Sequence, residues 1–105
     1  MTLRILESAV DDLERGRRFY SRHGQGIGVY FLDSLFSDID SLLLYAGIHP
    51  MSFGYHRLLS RRFPFAVYYL IEDNVVIVYR VLDLRQDPES IRGYLTPNDQ
   101  PEQQG

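Results

Sequence analysis

The chain contains no cysteine and no lysine. Without cysteine it can form no disulfide and offers no thiolate to a metal. Without lysine, all 11 of its basic residues are arginine. Arginine suits bidentate recognition of carboxylate or phosphate and packing on aromatic rings. A compositional bias accounts for the same count with no function attached. A basic excess is also missing: the formal charge is −3 and the pI about 5.5. That argues against a non-specific nucleic-acid binder, whose affinity rests on phosphate contacts. No apolar run approaches the ~20 residues of a membrane span. The opening residues, Met1 to Val10, lack the basic region and long apolar run of a signal peptide. The expectation is a cytoplasmic protein with no membrane partner. His23, His49 and His56 are scattered along the chain, so neither a metal site nor a cofactor is expected.

What is present suffices for one core. The 105 residues are 45% hydrophobic and 13% aromatic, and a domain of this size buries roughly two-thirds of the surface it exposes unfolded. The most informative stretch runs from residue 63 to 88. Two apolar runs, Phe65–Ile71 and Val75–Leu82, flank a Glu72-Asp73-Asn74 turn. Their Val, Ile, Tyr and Phe fit a pleated, buried surface. Arg80, Asp83, Arg85 and Asp87 follow, then Pro88. A hydrophobic hairpin ending in charge puts polar chemistry on the rim of a sheet.

Upstream, Leu3 to Glu7 reads as a short strand. Ser8 suits a helix N-cap, with Asp11 near the capping-box position. A helix from Ala9 to His23 places Leu13, Gly16 and Tyr20 along one face. Gly16 in mid-helix costs roughly 1 kcal/mol against alanine, so close helix packing is its reason. Gly24-Gln25-Gly26 stops this helix. A second helix spans Ile27 to Ala46, carrying Phe31, Leu35, Ile39 and Leu42 at helical spacing, and Gly47 and Pro50 end it. Ile48 to Gly54 reads as a loop, Tyr55 to Arg61 as a strand, and Glu89 to Leu95 as a short terminal helix. Residues 96–105 form a polar tail, expected to be disordered. The fold class is α+β in the order β-α-α-β-β-β with a short final helix. A helix hairpin packs on a mostly antiparallel four-stranded sheet, and residues 1–95 form the single domain.

This order, with these residues, resembles the RelE/ParE family of bacterial type II toxins. The matching segments are Ala9-Val10-Asp11-Asp12-Leu13, Phe19-Tyr20, Tyr55-His56-Arg57-Leu58, Phe63 to Tyr69, and Val78 to Pro88. The resemblance implies a toxin neutralised by a cognate antitoxin encoded beside it. The ParE branch inhibits DNA gyrase by protein binding. The RelE branch cuts messenger RNA on the ribosome. A metal-free ribonuclease needs a base, a cation near the phosphate and an acid. Arg61 and Arg85 are the candidate catalytic residues under that reading. Against it, the strand position that often carries a catalytic arginine is Ala66, and the position often occupied by histidine is Asp83. Tyr94 lies at an unconvincing spacing from Arg85. These departures favour the ParE branch and a non-enzymatic inhibitor. A non-toxic orphan acting only as a binding module is the third reading.

Arg57, Arg61, Arg62, Arg80, Asp83 and Arg85 are the candidate residues for binding target or antitoxin. Each also has a plain structural role open to it. Arg57, Arg61 and Arg62 can blunt a strand edge. Arg80 can pair with Asp83 or Glu72, and Asp83 or Asp87 can pair with Arg85 or cap the last helix. The antitoxin is expected to cover the apolar side of the helix hairpin and the arginine-bearing rim. A homodimer is also open.

Overall fold

In a computed structural model of the chain, residues 1–96 are described. The elements are β1 (Thr2–Ile5), α1 (Glu7–Ser21), α2 (Ile27–Asp40), α3 (Leu42–Tyr45), β2 (Met51–Ser52), β3 (Tyr55–Leu59), β4 (Phe65–Glu72), β5 (Val75–Asp83) and α4 (Pro88–Leu95). The sheet order is β1-β5-β4-β3-β2, with β1 parallel to β5 and every other pair antiparallel. The α+β class and the mostly antiparallel sheet are as the sequence predicts. The sheet has five strands among the described residues instead of four. The expected tail lies, beyond Thr96, outside the described residues.

The fifth strand comes from the segment expected to be a loop. Phe53 and Gly54 both adopt positive φ, 56° and 87°, as a tight two-residue hairpin turn needs. Ser52 therefore folds back onto Tyr55 and Met51 onto His56. The central hairpin turns in the same way, on Asp73 and Asn74 with φ of 50° and 65°. Aspartate and asparagine tolerate this left-handed region better than other side chains do.

Two helix boundaries differ from expectation. Ser8 does not cap α1. The chain turns two residues earlier, at Leu6, whose N–H still bonds Val78 O at 3.0 Å in line with the β1–β5 ladder. The long second helix divides at Ser41, whose hydroxyl donates to the Asp38 carbonyl at 2.6 Å. A serine bonded back onto its own helix competes with the backbone pattern and bends or breaks it.

The main core lies between the helix hairpin and the sheet. Leu13, Phe31, Leu35, Ile39, Val67, Tyr69 and Val78 are all essentially without solvent contact there. Each aliphatic or Phe side chain so buried contributes roughly 1.5–3 kcal/mol. Strand alternation sends Ala66, Tyr68 and Leu82 to the opposite face, where Ile91 and Leu95 of α4 cover them. α1 and α2 approach closely at Gly16: a Cβ there would stand 2.5 Å from Phe31 Cζ. Close packing is thus why glycine occupies that position.

Candidate functional site

β5 carries an irregularity that builds the site. Tyr68 pairs with Arg80 but Tyr69 pairs with Val78, so Tyr79 is an extra residue on β5. A bulge of this kind disrupts the local ladder and re-aims the side chains after it. Here it also falls where β1 has ended, since the β1–β5 register stops at Val78. Two groups of β5 then need partners. Both come from α1, which runs on along the edge that β1 leaves. Ser8 Oγ donates to the Tyr79 carbonyl at 2.8 Å, and Asp12 Oδ2 accepts from Val81 N–H at 2.9 Å.

Asp12 also organises the charge. Its carboxylate takes a two-pronged contact from Arg80, with Nε to Oδ2 and Nη2 to Oδ1 both at 2.8 Å. Arg15 Nη1 adds a longer bond at 3.2 Å. The Asp12 side chain is 2% exposed and that of Arg80 19%. The Asp12 hydrogen bonds keep the Arg80 guanidinium charged against the cost of its burial and raise its pKa further. The Tyr94 ring of α4 lies over the same guanidinium, 4.6 Å from Cζ to centroid, a cation–π contact. Sequence spacing offered Asp83 or Glu72 as the partner of Arg80; the partner is Asp12, 68 residues away. Helix α1 beside β5 makes that pairing, and no local spacing announces it.

A cleft of about 300 Å³ opens beside this pair. α1 contributes Asp12, Arg15, Gly16 and Phe19, the ends of β4 and β5 contribute Phe65 and Val81 to Asp83, and Tyr94 closes one side. At its rim Asp83 binds Arg85 through Nη2 at 2.7 Å and Nε at 3.0 Å. Burial pushes the Asp83 carboxyl up, but the Arg85 hydrogen bonds outweigh it and its pKa falls below the usual 3.8. Arg85 also reaches Tyr20 OH at 3.3 Å. Asp87 accepts from Glu89 N–H at 3.2 Å and caps α4, with Pro88 in its first turn.

The predicted site residues fall into three groups. Arg57 and Arg80 flank Tyr68 in one cross-strand row, since both pair with it in register. All three therefore belong to the face that α4 covers in part. Burial raises the Tyr68 phenol pKa, against the nearby Arg57. Asp83 and Arg85 form the second group, at the α1 side of the cleft. Arg61 and Arg62 are the third, exposed on the β3–β4 connection. The base of that connection is held by Ser60, whose hydroxyl donates to buried Asp38 at 2.7 Å. Among these residues Arg80 and Arg85 are ion-paired, whereas Arg57, Arg61 and Arg62 make no ion pair among the described residues.

No protein-family model matches the chain, and no curated protein matches it. Among solved structures, a chain of the chromosomal ParDE TA system from P. aeruginosa superposes with a TM-score of 0.74 at 18% identity. The match covers 81% of this chain and 97% of that one. The fold is RelE/ParE-like. At that identity the shared property is the backbone arrangement, and what the site does must be read from its own side chains.

Two residues of this ParE-like fold carry site roles that sequence reasoning did not give them. Asp12 is the hub of the cleft, and its only signal is an aspartate on the buried stripe of an amphipathic helix, beside Ala9, Leu13 and Gly16. Tyr94 stands over Arg80 although its spacing from Arg85 suggested no role. The histidines also differ from expectation, because two of them meet. His49 Nδ1 lies 2.5 Å from the buried Tyr69 hydroxyl, and His56 Nδ1 donates to the His49 carbonyl at 2.8 Å. Tyr69 OH also accepts from Gly47 N–H at 2.9 Å, and its own proton is free to meet His49 Nδ1 when that nitrogen carries none. Burial, then the neighbouring His56, lowers the His49 pKa below 6.5. Among the described residues no three His, Cys, Asp or Glu side chains gather as a metal site, and no helix is long and apolar enough to cross a membrane.

Proposed function

We propose that this chain is a ParE-like toxin of a bacterial type II toxin–antitoxin module, acting on DNA gyrase by binding and neutralised by a cognate antitoxin. The observation that carries this reading is the state of the cleft. Its central cation, Arg80, is clamped by Asp12 in a two-pronged ion pair under the Tyr94 ring. An RNA phosphate would have to displace that carboxylate, which also satisfies Val81 N–H. Arg85 is engaged by Asp83 in the same way. Beside them Ala66, wholly buried, supplies no group to move a proton. Cleavage of RNA requires a cation presented to the phosphate and an acid and base in reach of it. The cleft is built instead to hold α1, β5 and α4 together. The RelE/ParE-like fold supports the toxin class, and the gyrase target follows from the resemblance to the ParE branch.

Arg57, Arg61 and Arg62, which are without ion pairs among the described residues, are the anchors for an acidic antitoxin segment beside β3 and the β3–β4 connection. The deciding experiment sets two assays side by side. Purified protein is expected to block gyrase supercoiling or to trap cleaved DNA, with transcripts left intact on translating ribosomes. Codon-positioned cuts in messenger RNA with gyrase untouched would overturn the reading. An Arg61→Ala/Arg62→Ala variant is expected to lose affinity for the antitoxin encoded in the adjacent reading frame, mainly through slower association that converges with wild type at high salt.

A further inference from the structure

Residues 47–54 form a strap that leaves α3 and ends in β2, the outermost strand of the sheet. None of these residues is buried, and only His49 and Ser52 are half-buried. The large apolar side chains point away from the core: Ile48 is 72%, Met51 56% and Phe53 44% exposed. Apolar burial, which secures the rest of the fold, therefore does little for this segment. Hydrogen bonds hold it instead, and a segment held in that way opens more readily than the core does.

Those bonds converge on one phenol. Tyr69 has no solvent contact. Its hydroxyl accepts from Gly47 N–H at 2.9 Å and meets His49 Nδ1 at 2.5 Å. The His56 ring stacks on Tyr69 with centroids 5.0 Å apart and planes at 22°, and its Nδ1 donates to the His49 carbonyl at 2.8 Å. Further along, Arg57 N–H donates to the Pro50 carbonyl at 2.9 Å, and β2 joins β3 through two residue pairs. A hydroxyl has one proton to give and two lone pairs to offer. Gly47 takes one lone pair. While His49 Nδ1 carries no proton, it accepts the hydroxyl proton and each group is satisfied. Protonation of Nδ1 turns that acceptor into a donor. The buried hydroxyl proton then has no acceptor among the described residues, and leaving such a group unpaired is costly.

Protonation also sets a cation beside a second imidazole. The titratable groups that face His49 are His56 from β3 and Tyr69 from β4. Tyr45, the one titratable side chain of α3, is exposed. Residues 41–56 contain no Asp, Glu, Lys or Arg, and among the described residues neither imidazole pairs with a carboxylate. We infer that this cluster is a pH-operated latch: neutral His49 holds the strap and β2 on the sheet, and proton uptake at His49 releases them while the core stays folded. Release makes β3 the outermost strand and frees the backbone groups along its edge. Burial, then the neighbouring His56, lowers the His49 pKa below 6.5. The latch is therefore closed at neutral pH and opens as pH falls through the lowered value.

The test is amide hydrogen exchange of the full chain followed by NMR, with rates corrected for the intrinsic pH dependence of exchange. Gly47 and Arg57 N–H report on the strap and Val67 N–H on the core. In wild type, strap protection is expected to fall by about tenfold per pH unit below the His49 pKa, as one proton is taken up on opening, while Val67 stays protected. His49→Gln, neutral at every pH, is expected to show strap protection that does not change over the same range. Tyr69→Phe keeps the buried ring and removes the hydroxyl, and is expected to lower Gly47 protection at every pH. Wild-type strap protection indifferent to acid, an acid response that survives unchanged in His49→Gln, or Val67 losing protection in step with Gly47 would each overturn the inference. None of these readouts involves gyrase or an antitoxin, so this inference and the proposed function stand or fall separately.

Discussion

Two arginine–aspartate pairs border the same cleft, and they do different things. Arg80 meets Asp12 across 68 residues, with the carboxylate 2% exposed and a backbone N–H sharing it. Arg85 meets Asp83 two residues away, with side chains 51% and 32% exposed. Both contacts are two-pronged and of similar length. The difference lies in what else depends on them. The first pair closes the bulge in β5 and fixes α1 to the sheet edge. The second orients a side chain at the rim, where water competes for both partners. Equal chemistry therefore gives unequal consequences, because the solvent that would replace a lost partner reaches only one site.

The sharpest way to break this comparison is Asp12→Ala. It strands a largely buried guanidinium and leaves Val81 N–H without its partner, and such removals cost about 3–5 kcal/mol. Urea denaturation followed by circular dichroism should show that loss, and a cost near that of a surface pair would refute the hub role of Asp12. Gly16→Ala comes next. Its methyl would meet Phe31 Cζ at 2.5 Å and push α2 off the helix that carries Asp12, at about 1–3 kcal/mol for an overpacked core. The melting temperature should fall accordingly.

The His49–Tyr69 contact extends the comparison to a group that titrates. Burial lowers the His49 pKa below 6.5. Its stabilising contribution is therefore complete above 6.5 and is lost as pH falls through the lowered value. Urea midpoints measured across the mildly acidic range should decline in wild type and decline less in His49→Gln. The smallest effect belongs to Arg85→Ala. An exposed pair of this kind contributes at most about 1 kcal/mol. Its pH signature also has the carboxylate sign: the Asp83 contribution persists down to the usual 3.8 and fades only below it. A chemical-denaturation difference between Arg85→Ala and wild type that vanished near neutral pH would contradict this assignment.

The legible parts of the fold were those written in local period and turn chemistry. The β4–β5 hairpin follows from alternating Val, Ile and Tyr around Asp73-Asn74, and the two long helices from apolar spacing bounded by glycines. Gly16 was readable because a mid-helix glycine needs a packing reason. The α4 cap at Asp87 and the local Asp83–Arg85 pair were among the readings weighed from spacing. The β2 strand was not readable, because two residues carry no period and the turn depends on Phe53 accepting a positive φ. The break at Ser41 was hidden because apolar spacing continues across it into Leu42 and Ala46. The Arg80–Asp12 pair was hidden because it depends on where β1 stops and on one extra residue in β5.

Residue order alone determined the types and order of the long elements, the faces they bury and the scarcity of chemistry open to a molecule with no cysteine and no basic excess. These are local properties, set by period, propensity and composition. Only the tertiary arrangement decided which carboxylate meets which arginine, that Tyr94 stands over Arg80, and that His49 reaches the Tyr69 hydroxyl. Those contacts join residues well separated in the chain, and it is the packing of α1 and α4 on a bulged sheet edge, and the folding of β2 onto β3, that brings them within reach.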